Sequence, residues 1–307
     1  MEDYPWDADH DLDAEQVREG LLEGFPELAP IEVSSLGEGW DFRAFEVNGE
    51  FIFRFPKRAE VDAELELRLL PTLQDRVPLE IPDYCFTGHR TKAFPHGFAG
   101  YRRLNGVVAT DVPEAKLDVD AVARVCGEFL TALHTTPQAM AVQVGVKGEI
   151  SIHALEHQLR RAAECLDAVR AAATPALARR CEEFVVRTDL LPLASRGPLC
   201  VAHNDLYSEH ILLDAETRLP TGVIDWTDVR IVDPAVDFAG LCNWLGEDFV
   251  KKALEHYGGE TDDGLVRRAR FIAVYFAHLD VFYGHVTGKP ETVARGLRAL
   301  ERDLPDE

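Results

Sequence analysis

The sequence predicts an α+β protein in two parts, and three observations support this prediction. Short, partly alternating apolar segments fill the first hundred residues, helical periodicity dominates from residue 118 onward, and Asn105-Gly106 breaks the pattern between them. A run of strands followed by a run of helices is typical of α+β folds with two lobes. We therefore expect a small antiparallel-sheet lobe over residues 1–102 and a larger, mostly helical lobe over residues 103–307.

The first lobe is predicted to be a sheet with an inserted helix. A helix over 13–23 is followed by the stop signals Gly24 and Pro26. Asn48-Gly49 lies between two apolar segments and is the strongest short hairpin signal, because both residues tolerate a positive φ. The predicted strands are 31–36, 42–47, 51–55, 83–87 and 98–104, with a second helix over 61–73.

The second lobe is predicted to be helical with one interruption. That interruption, over 199–237, reads as strand-turn-strand and is dense in His, Asp and Gly. Its turn is expected from Asp214 to Gly222, and a short apolar strand then reaches Asp225. The predicted helices are 118–135, 150–172, 174–188, 246–257, 262–285 and 290–303.

Composition and charge exclude several classes of protein. With 46% hydrophobic residues the chain can bury a core, and 32 basic against 54 acidic residues give a net charge of −22. We expect no nucleic-acid partner, because such proteins need a basic face. A negative field attracts metal ions and amines, although acidity also simply keeps proteins soluble. No apolar run approaches the ~18 residues of a membrane span, and no secretion signal is visible, so we expect a cytoplasmic protein without a membrane partner.

The six cysteines form no C-x-x-C pair, and several lie inside apolar runs. Free cysteine behaves as a small buried hydrophobe, so all six are interpreted as core residues in a reducing compartment rather than as zinc ligands.

The strongest chemical signal is His203-x-Asp205, followed 20 residues later by Asp225 at the end of the predicted apolar strand. A carboxylate on a polar loop can accept the proton of an attacking hydroxyl, and a second carboxylate can hold a divalent cation against phosphate oxygens. Each Asp alone is more often a turn or cap residue. Together the two favour phosphoryl transfer.

This constellation resembles the aminoglycoside phosphotransferase family, which shares the protein-kinase-like fold, over about residues 31–283. The family's D-P-x-x-D motif matches Asp233 to Asp237. The resemblance implies a two-lobed kinase-like fold, with nucleotide bound by residues 1–102 and catalysis and acceptor binding in residues 103–307. It also implies Asp205 as catalytic base, Asp225 as the main Mg²⁺ ligand, bracing roles for His203 and Asp237, and ATP or GTP as co-substrate.

Position 210 departs from the commonest pattern, because many members carry Asn there and this chain carries His210. Magnesium prefers oxygen ligands. The pattern H-x-D-x-x-x-x-H-I-L nevertheless resembles the aminoglycoside 2''-phosphotransferase and macrolide phosphotransferase branches. The resemblance therefore implies His210 as a second metal ligand, and a structural histidine is the alternative.

Two features of the first lobe match the family's phosphate-binding parts. Gly37 and Gly39 lie on the predicted hairpin, where glycines permit close approach to phosphates, although G-x-G alone usually means a plain turn. The family places a basic residue on the next strand, where it neutralises phosphates and pairs with a helix Glu. Arg54 matches it in place of the commoner Lys, with Lys57 as the fallback.

Three further positions complete the implied nucleotide site. Glu66 best matches the partner of the strand cation, Glu64 is second, and both could equally be solvated helix charges. In the family, backbone groups at the lobe boundary bind the nucleotide base, which here implies Arg103 and Leu104. Preference for ATP or GTP is not readable from these side chains.

The acceptor is expected to be a cationic antibiotic. Acidic residues of the helical lobe bind ammonium groups in the aminoglycoside branch, which implies Asp228, Glu247, Asp248 and Asp280 here, with Trp244 in a largely apolar wall. Some segments resemble the aminoglycoside 2''-enzymes and others the macrolide enzymes. We expect an aminoglycoside acceptor first and a macrolide second, followed by a metabolic small alcohol (choline, homoserine or a sugar). The alternative to an enzyme is an inactive nucleotide-binding module.

Overall fold

A computed structural model describes residues 4, 6–92, 94–148, 155–187 and 198–304. The chain divides into two compact units, Met1–Asp75 with Glu80–Asn105 and Arg76–Leu79 with Gly106–Glu307.

A five-stranded antiparallel sheet forms the first unit, as the sequence predicts. Its strands are β1 (Val33–Glu38), β2 (Phe42–Val47), β3 (Phe51–Pro56), β4 (Tyr84–Gly88) and β5 (Phe98–Arg102), in the order β1-β2-β3-β5-β4. Asn48 and Gly49 both have positive φ in the β2–β3 turn, which confirms the hairpin. Because β3 is central and buried on both faces, even its polar residue Arg54 is buried.

Two helices accompany this sheet. Helix α1 (Ala14–Gly24) begins with a capping box in which the side chains of Asp13 and Gln16 each accept a backbone N–H of the other residue. Helix α2 (Leu65–Leu73) begins four residues later than predicted, because residues 61–64 form turns. Val17 and Leu21 of α1 pack into a cluster of phenylalanines from the sheet, including Phe53, Phe55 and Phe98.

Helices dominate the second unit. They are α3 (Val119–His134), α4 (Gln138–Gln143), α5 (Leu155–Glu164), α6 (Leu166–Ala172), α7 (Pro175–Val185), α8 (Ala235–Leu245), α9 (Glu247–Leu254), α10 (Leu265–Thr287) and α11 (Pro290–Asp303). The single helix predicted over 150–172 is wrong: the helix is interrupted at Cys165, and residues 150–154 lie outside the described ranges, as does residue 188 at the end of the next predicted helix.

Helix α8 was not predicted, and its burial explains why. Residues 235–243 are all buried, so the helix is enclosed on every side and lacks the periodic polar face that marks an amphipathic helix. It occupies the centre of the helical unit and contacts α10 most extensively.

Short strands form two three-stranded sheets in the same unit, ordered β10-β9-β6 and β7-β11-β8. They are β6 (Val107–Val108), β7 (Lys147–Gly148), β8 (Cys200–Ala202), β9 (Ile211–Leu213), β10 (Pro220–Val223) and β11 (Arg230–Val232). The predicted turn from Asp214 to Gly222 is too long, because β10 already begins at Pro220. Asp225 lies beyond the strand, with a φ of 62°.

Five of the six free cysteines are buried as predicted, and Cys85 is exposed. The prediction is wrong for Cys85 because β4 is an edge strand on which half-buried and exposed residues alternate, and the Cys85 side chain lies on the exposed face. Within the described ranges, every helix is too short or too polar to span a lipid bilayer.

Gly240 of α8 allows this helix to pack against the backbone of the loop that follows β8. A Cβ at position 240 would overlap the backbone carbonyl of Leu206, which cannot move without displacing the loop. We expect Gly240→Ala to lower the free energy of unfolding by about 1–3 kcal/mol, measured by urea denaturation. Gly148→Ala is the matched control, since among the described residues no atom beyond its chain neighbours lies within 4 Å of its added Cβ. Equal stability of the two variants would show that the packing is not tight.

Candidate active site

The H-x-D loop follows β8 directly, and the carboxylate of Asp237 holds its backbone in place. Asp237 lies in the first turn of α8 and is completely buried. Its Oδ2 accepts the backbone N–H of His203 at 2.9 Å, and its Oδ1 accepts that of Asn204 at 2.7 Å. Asn204 has a φ of 68°, and its side chain donates to the backbone oxygen of Asp228 at 3.0 Å. The conformation of the loop is therefore fixed from both sides.

A buried histidine completes the environment of Asp237. His134 Nε2 lies 2.9 Å from Asp237 Oδ2, and His134 Nδ1 lies 2.8 Å from the hydroxyl of Tyr257. Burial alone would raise the pKa of Asp237, but the hydrogen bond and charge of His134, with the backbone donors, hold that pKa below its ordinary value. Asp237 is therefore ionised in the folded protein at neutral pH.

His203 links the loop to the segment that carries Asp225. The backbone N–H of Asp205 lies 3.3 Å from His203 Nδ1, so Nδ1 accepts, and Nε2–H donates to the backbone oxygen of Ile224 at 3.1 Å. Burial lowers the pKa of His203 to about 4. The neutral ring thus bridges the backbone of the two segments that present Asp205 and Asp225.

His210 lies between the two carboxylates. Its Nδ1 is 2.7 Å from the backbone oxygen of Asp205 and 3.4 Å from Asp205 Oδ2, and its Nε2 is 3.8 Å from Asp225 Oδ2. Because Nδ1–H donates to the Asp205 carbonyl, Nε2 is the ring nitrogen that faces Asp225. Asp225 Oδ1 accepts the hydroxyl hydrogen of Thr227 at 3.1 Å.

Electrostatic coupling in this cluster is strong. Burial raises the pKa of Asp205 well above its ordinary value, His210 opposes the increase, and the carboxylates of Asp228 and Asp225 add to it. Burial opposes the charge on His210, but Asp205, Asp225 and Glu209 outweigh it and raise the His210 pKa to about 9. The carboxylates of Asp205 and Asp225 therefore stabilise a positive charge at the position between them. A divalent cation bound there would be stabilised in the same way.

Another group of potential metal ligands lies in the first unit. Asp9, His10 and His96 have ligand atoms within 4.8 Å of one another. In the structure Asp9 accepts from both rings, at 2.7 Å from His10 Nδ1 and 2.8 Å from His96 Nε2. The sequence offers no motif for this group, because His96 lies 87 residues along the chain from Asp9 and His10 alone follows Asp9 directly.

The predicted pair of the first unit is present. Arg54 Nη1 lies 2.6 Å from Glu66 Oε1 and 2.7 Å from Oε2, and the two residues are only 6% and 4% exposed. Tyr84 donates its hydroxyl hydrogen to Glu66, and the Arg54 guanidinium lies 4.1 Å from the ring centroid of Phe42. The second choice, Glu64, is exposed and paired with Arg68 instead.

The other nucleotide-binding candidates lie at strand ends. Gly37 has a φ of 112° at an irregularity in the β1–β2 pairing, and Gly39 accepts from Lys57 Nζ at 3.0 Å. Lys57, the fallback cation, is therefore already occupied. The Arg103 N–H donates to the backbone oxygen of Glu50 at 2.8 Å, so this N–H is not available to a nucleotide base.

Leu104, the other candidate at the end of the first unit, is half-buried.

The acceptor candidates lie on separate elements of the second unit, and two of them are already ion-paired. Glu247 of α9 binds Lys251 at 2.8 Å and Arg270 at 3.2 Å, and Asp280 of α10 binds Arg295 at 3.0 Å. Trp244 and Asp228 are half-buried.

Comparison with known proteins identifies the family. The model of the phosphotransferase enzyme family (APH) matches residues 32–272, and the chain belongs to this family. The family resemblance and kinase-like fold expected from the sequence are thereby confirmed.

Similarity to individual proteins is lower. Viomycin phosphotransferase of Streptomyces vinaceus is 34% identical over 151 residues, which are 42% of this chain and 52% of that protein, so the match spans about half of the relative's length. The GDP and kanamycin complex of an APH(2'') enzyme is 26% identical with a TM-score of 0.69, over 94% of this chain and 97% of that one. A macrolide 2'-phosphotransferase type I is similar in fold, at 22% identity and a TM-score of 0.60, over 98% and 99% of the two chains.

The buried Asp237 gives a direct test of the loop geometry. We expect Asp237→Asn to lower the free energy of unfolding by about 2–3 kcal/mol, because one amide oxygen cannot accept all the hydrogen bonds that two carboxylate oxygens accept. Since the folded-state pKa of Asp237 is depressed, its contribution is present above the unfolded pKa and is lost as pH falls through the folded value. The deficit should therefore shrink below about pH 4, followed by circular dichroism in urea.

Asp248→Asn is the control, because Asp248 is exposed and, in the described part of the chain, pairs only with Lys251. It should change the unfolding free energy by no more than about 0.5 kcal/mol. If both variants behave alike at neutral pH, the Asp237 carboxylate does not hold the loop.

Proposed function

We propose that this protein transfers the γ-phosphate of ATP or GTP to a hydroxyl group of a small-molecule antibiotic, with an aminoglycoside as the first candidate acceptor. The observation that carries the proposal is the position of His210 between two carboxylates. One is Asp205, on the H-x-D loop that Asp237 holds in place, and the other is Asp225, which follows β10. Membership in the phosphotransferase enzyme family supports it.

Asp205 is the proposed catalytic base. It orients the acceptor hydroxyl and takes its proton while the acceptor oxygen bonds to the γ-phosphorus and the bond to the β–γ bridging oxygen breaks. The nucleoside diphosphate leaves with that bridging oxygen. The raised pKa of Asp205 supports this role, because its carboxylate accepts a proton more readily than an exposed one.

Asp225 and His210 are the proposed holders of Mg²⁺. When bound, the ion would offset charge on the phosphate oxygens. Asp225 would offer carboxylate oxygen to a divalent cation, and His210 would offer Nε2 because its Nδ1 is engaged by the Asp205 carbonyl. Since the His210 pKa is raised to about 9 without an ion, the cation would have to displace the Nε2 proton. An imidazole remains a softer ligand than Mg²⁺ usually takes.

The first unit is proposed to bind the nucleotide. Glu66 fixes the buried guanidinium of Arg54, whose positive charge would offset that of the α- and β-phosphates. Gly37 and Gly39 are the proposed phosphate-covering positions. Leu104, rather than the engaged N–H of Arg103, is the better candidate for a backbone contact with the base.

The acceptor class rests on charge and on relatives. A net charge of −22 attracts polycations. One similar protein is named for viomycin and one similar structure contains kanamycin. Asp228, Trp244, Glu247 and Asp280 are the proposed acceptor contacts, and Glu247 and Asp280 would have to release their arginine partners to bind an ammonium group.

Replacing the proposed base tests the mechanism. We expect Asp205→Asn to lower kcat by about 10²–10⁴-fold, because the amide cannot take the proton, while nucleotide affinity changes little. Steady-state turnover and calorimetric titration of the nucleotide measure the two effects. The control is Asp167→Asn, a carboxylate on the exposed surface of α6. Turnover by Asp205→Asn at the control's rate would remove Asp205 from the mechanism.

An acceptor panel tests the substrate class. We expect nucleotide consumption to rise with kanamycin or another aminoglycoside, measured as diphosphate release with ATP and with GTP in Mg²⁺. The panel also contains viomycin, a macrolide, choline, homoserine and a sugar. Turnover with another member alone would reassign the acceptor. Magnesium-dependent nucleotide binding without turnover on any acceptor would instead favour an inactive nucleotide-binding module.

A further inference from the structure

The group of Asp9, His10 and His96 in the first unit has the composition of a transition-metal site. Each residue places one ligand atom within 4.8 Å of the other two, and the two rings lie with their centroids 5.1 Å apart. Two imidazole nitrogens and a carboxylate oxygen are ligands that Zn²⁺ and neighbouring transition metals take. None of the three residues takes part in the proposed function.

The backbone that carries the first two ligands is anchored to the five-stranded sheet. The N–H of Asp9 donates to the backbone oxygen of Lys57, just after β3, at 3.0 Å. The backbone oxygen of His10 accepts from Arg43 Nη1, on β2, at 2.7 Å. Asp9 and His10 are therefore held at the sheet by contacts that their own side chains do not make.

The third ligand comes from a tight turn that precedes β5. The N–H of Gly97 donates to the backbone oxygen of Phe94 at 3.2 Å, and Gly97 has a φ of 73°. A Cβ at position 97 would lie 2.9 Å from the backbone oxygen of Gly88, so the turn packs closely against β4. This turn presents His96 to the N-terminal segment. Ligands held by fixed backbone bind an ion at a lower cost in ordering.

The charge of the group also suits a cation. In the described part of the chain, the ion-pair partners of Asp9 are the two rings, and no Lys or Arg neutralises its carboxylate. The Asp9 side chain is 45% exposed, so an ion can enter from solvent. The net charge of −22 attracts cations to the protein as a whole.

Only a small adjustment would make room for an ion. The ring nitrogens lie 2.7 and 2.8 Å from Asp9 Oδ1, which are hydrogen-bond lengths. Ligands about 2.0–2.1 Å from a tetrahedral ion are about 3.3 Å apart, so each contact lengthens by about half an ångström. His96 Nδ1 is buried and lacks a partner among the described residues, whether Nε2 donates to Asp9 or binds an ion. The ion therefore leaves no additional group unsatisfied there.

We propose that Asp9, His10 and His96 bind a divalent transition-metal ion, with Zn²⁺ as the probe, and that one ligand position stays open to water. The ion links the segment before α1 to the turn before β5. The same segment carries the buried Trp6, whose ring packs edge-on to Trp40 with centroids 4.8 Å apart. The proposal does not depend on the phosphotransferase activity.

Titration of Zn²⁺ into the chelator-treated full chain, followed by calorimetry, tests the site. We expect a dissociation constant of about 1 μM, because one ligand position stays open, and no competition from Mg²⁺, because two of the three ligands are nitrogen. His10→Gln and His96→Gln should each weaken this binding at least about 100-fold. Saturating Zn²⁺ should raise the melting temperature of the wild-type protein by about 2–4 °C and leave that of each variant unchanged.

Two controls localise the effect. His285→Gln is the matched control, since His285 is an exposed histidine on α10, and it should leave Zn²⁺ affinity unchanged. Asp225→Asn removes a proposed Mg²⁺ ligand of the second unit, and it should also retain the site formed by Asp9, His10 and His96. A wild-type circular dichroism spectrum verifies the fold of each variant, and two separate histidine variants keep the test valid if one fails to fold.

The proposal is overturned if the chelator-treated wild-type protein does not bind Zn²⁺, or if a folded His10→Gln or His96→Gln variant keeps the wild-type affinity. Loss of binding in Asp225→Asn or His285→Gln to the same degree would also overturn it, because the ion would then lie elsewhere. Binding of Mg²⁺ as tight as that of Zn²⁺ would contradict the assigned nitrogen ligands.

Discussion

The buried carboxylate of Asp237 is the interaction on which the candidate active site depends. Its two oxygens accept the backbone N–H groups of His203 and Asn204 as well as the ring of His134. Asn204 adopts a left-handed conformation, which costs about 1–3 kcal/mol for a residue other than glycine unless its surroundings impose it. The carboxylate supplies that constraint. Everything proposed for Asp205 and His210 assumes that this backbone stays in place.

Motif spacing predicted more of this protein than periodicity did. The H-x-D motif and its Asp225 partner indicated the two carboxylates that His210 separates, and the family pattern selected Glu66 as the partner of Arg54. Periodicity located the amphipathic helices but missed α8, because a helix buried on all sides shows no polar stripe. It also misplaced the strand before Asp225, since Pro220 reads as a turn residue and here begins a strand.

Bracing residues were beyond the reach of the sequence. His134 lies at the end of α3, about a hundred residues from Asp237, in a segment that reads as an ordinary amphipathic helix. Its role arises only from tertiary packing. Sequence patterns such as periodicity and short motifs reflect interactions between residues close in the chain, whereas His134 and Asp237 are far apart in it.

Trp226 gives the loop a built-in spectroscopic reporter. It follows Asp225 directly, is fully buried, and donates its indole N–H to the backbone oxygen of Val223 at 2.9 Å. Its ring lies edge-on to His203, with centroids 4.7 Å apart. An indole shielded from water emits at shorter wavelength than an exposed one, so slight opening of this segment would redden the fluorescence while the helices remain folded. Engagement of the neighbouring carboxylates could thus be followed optically, without any label.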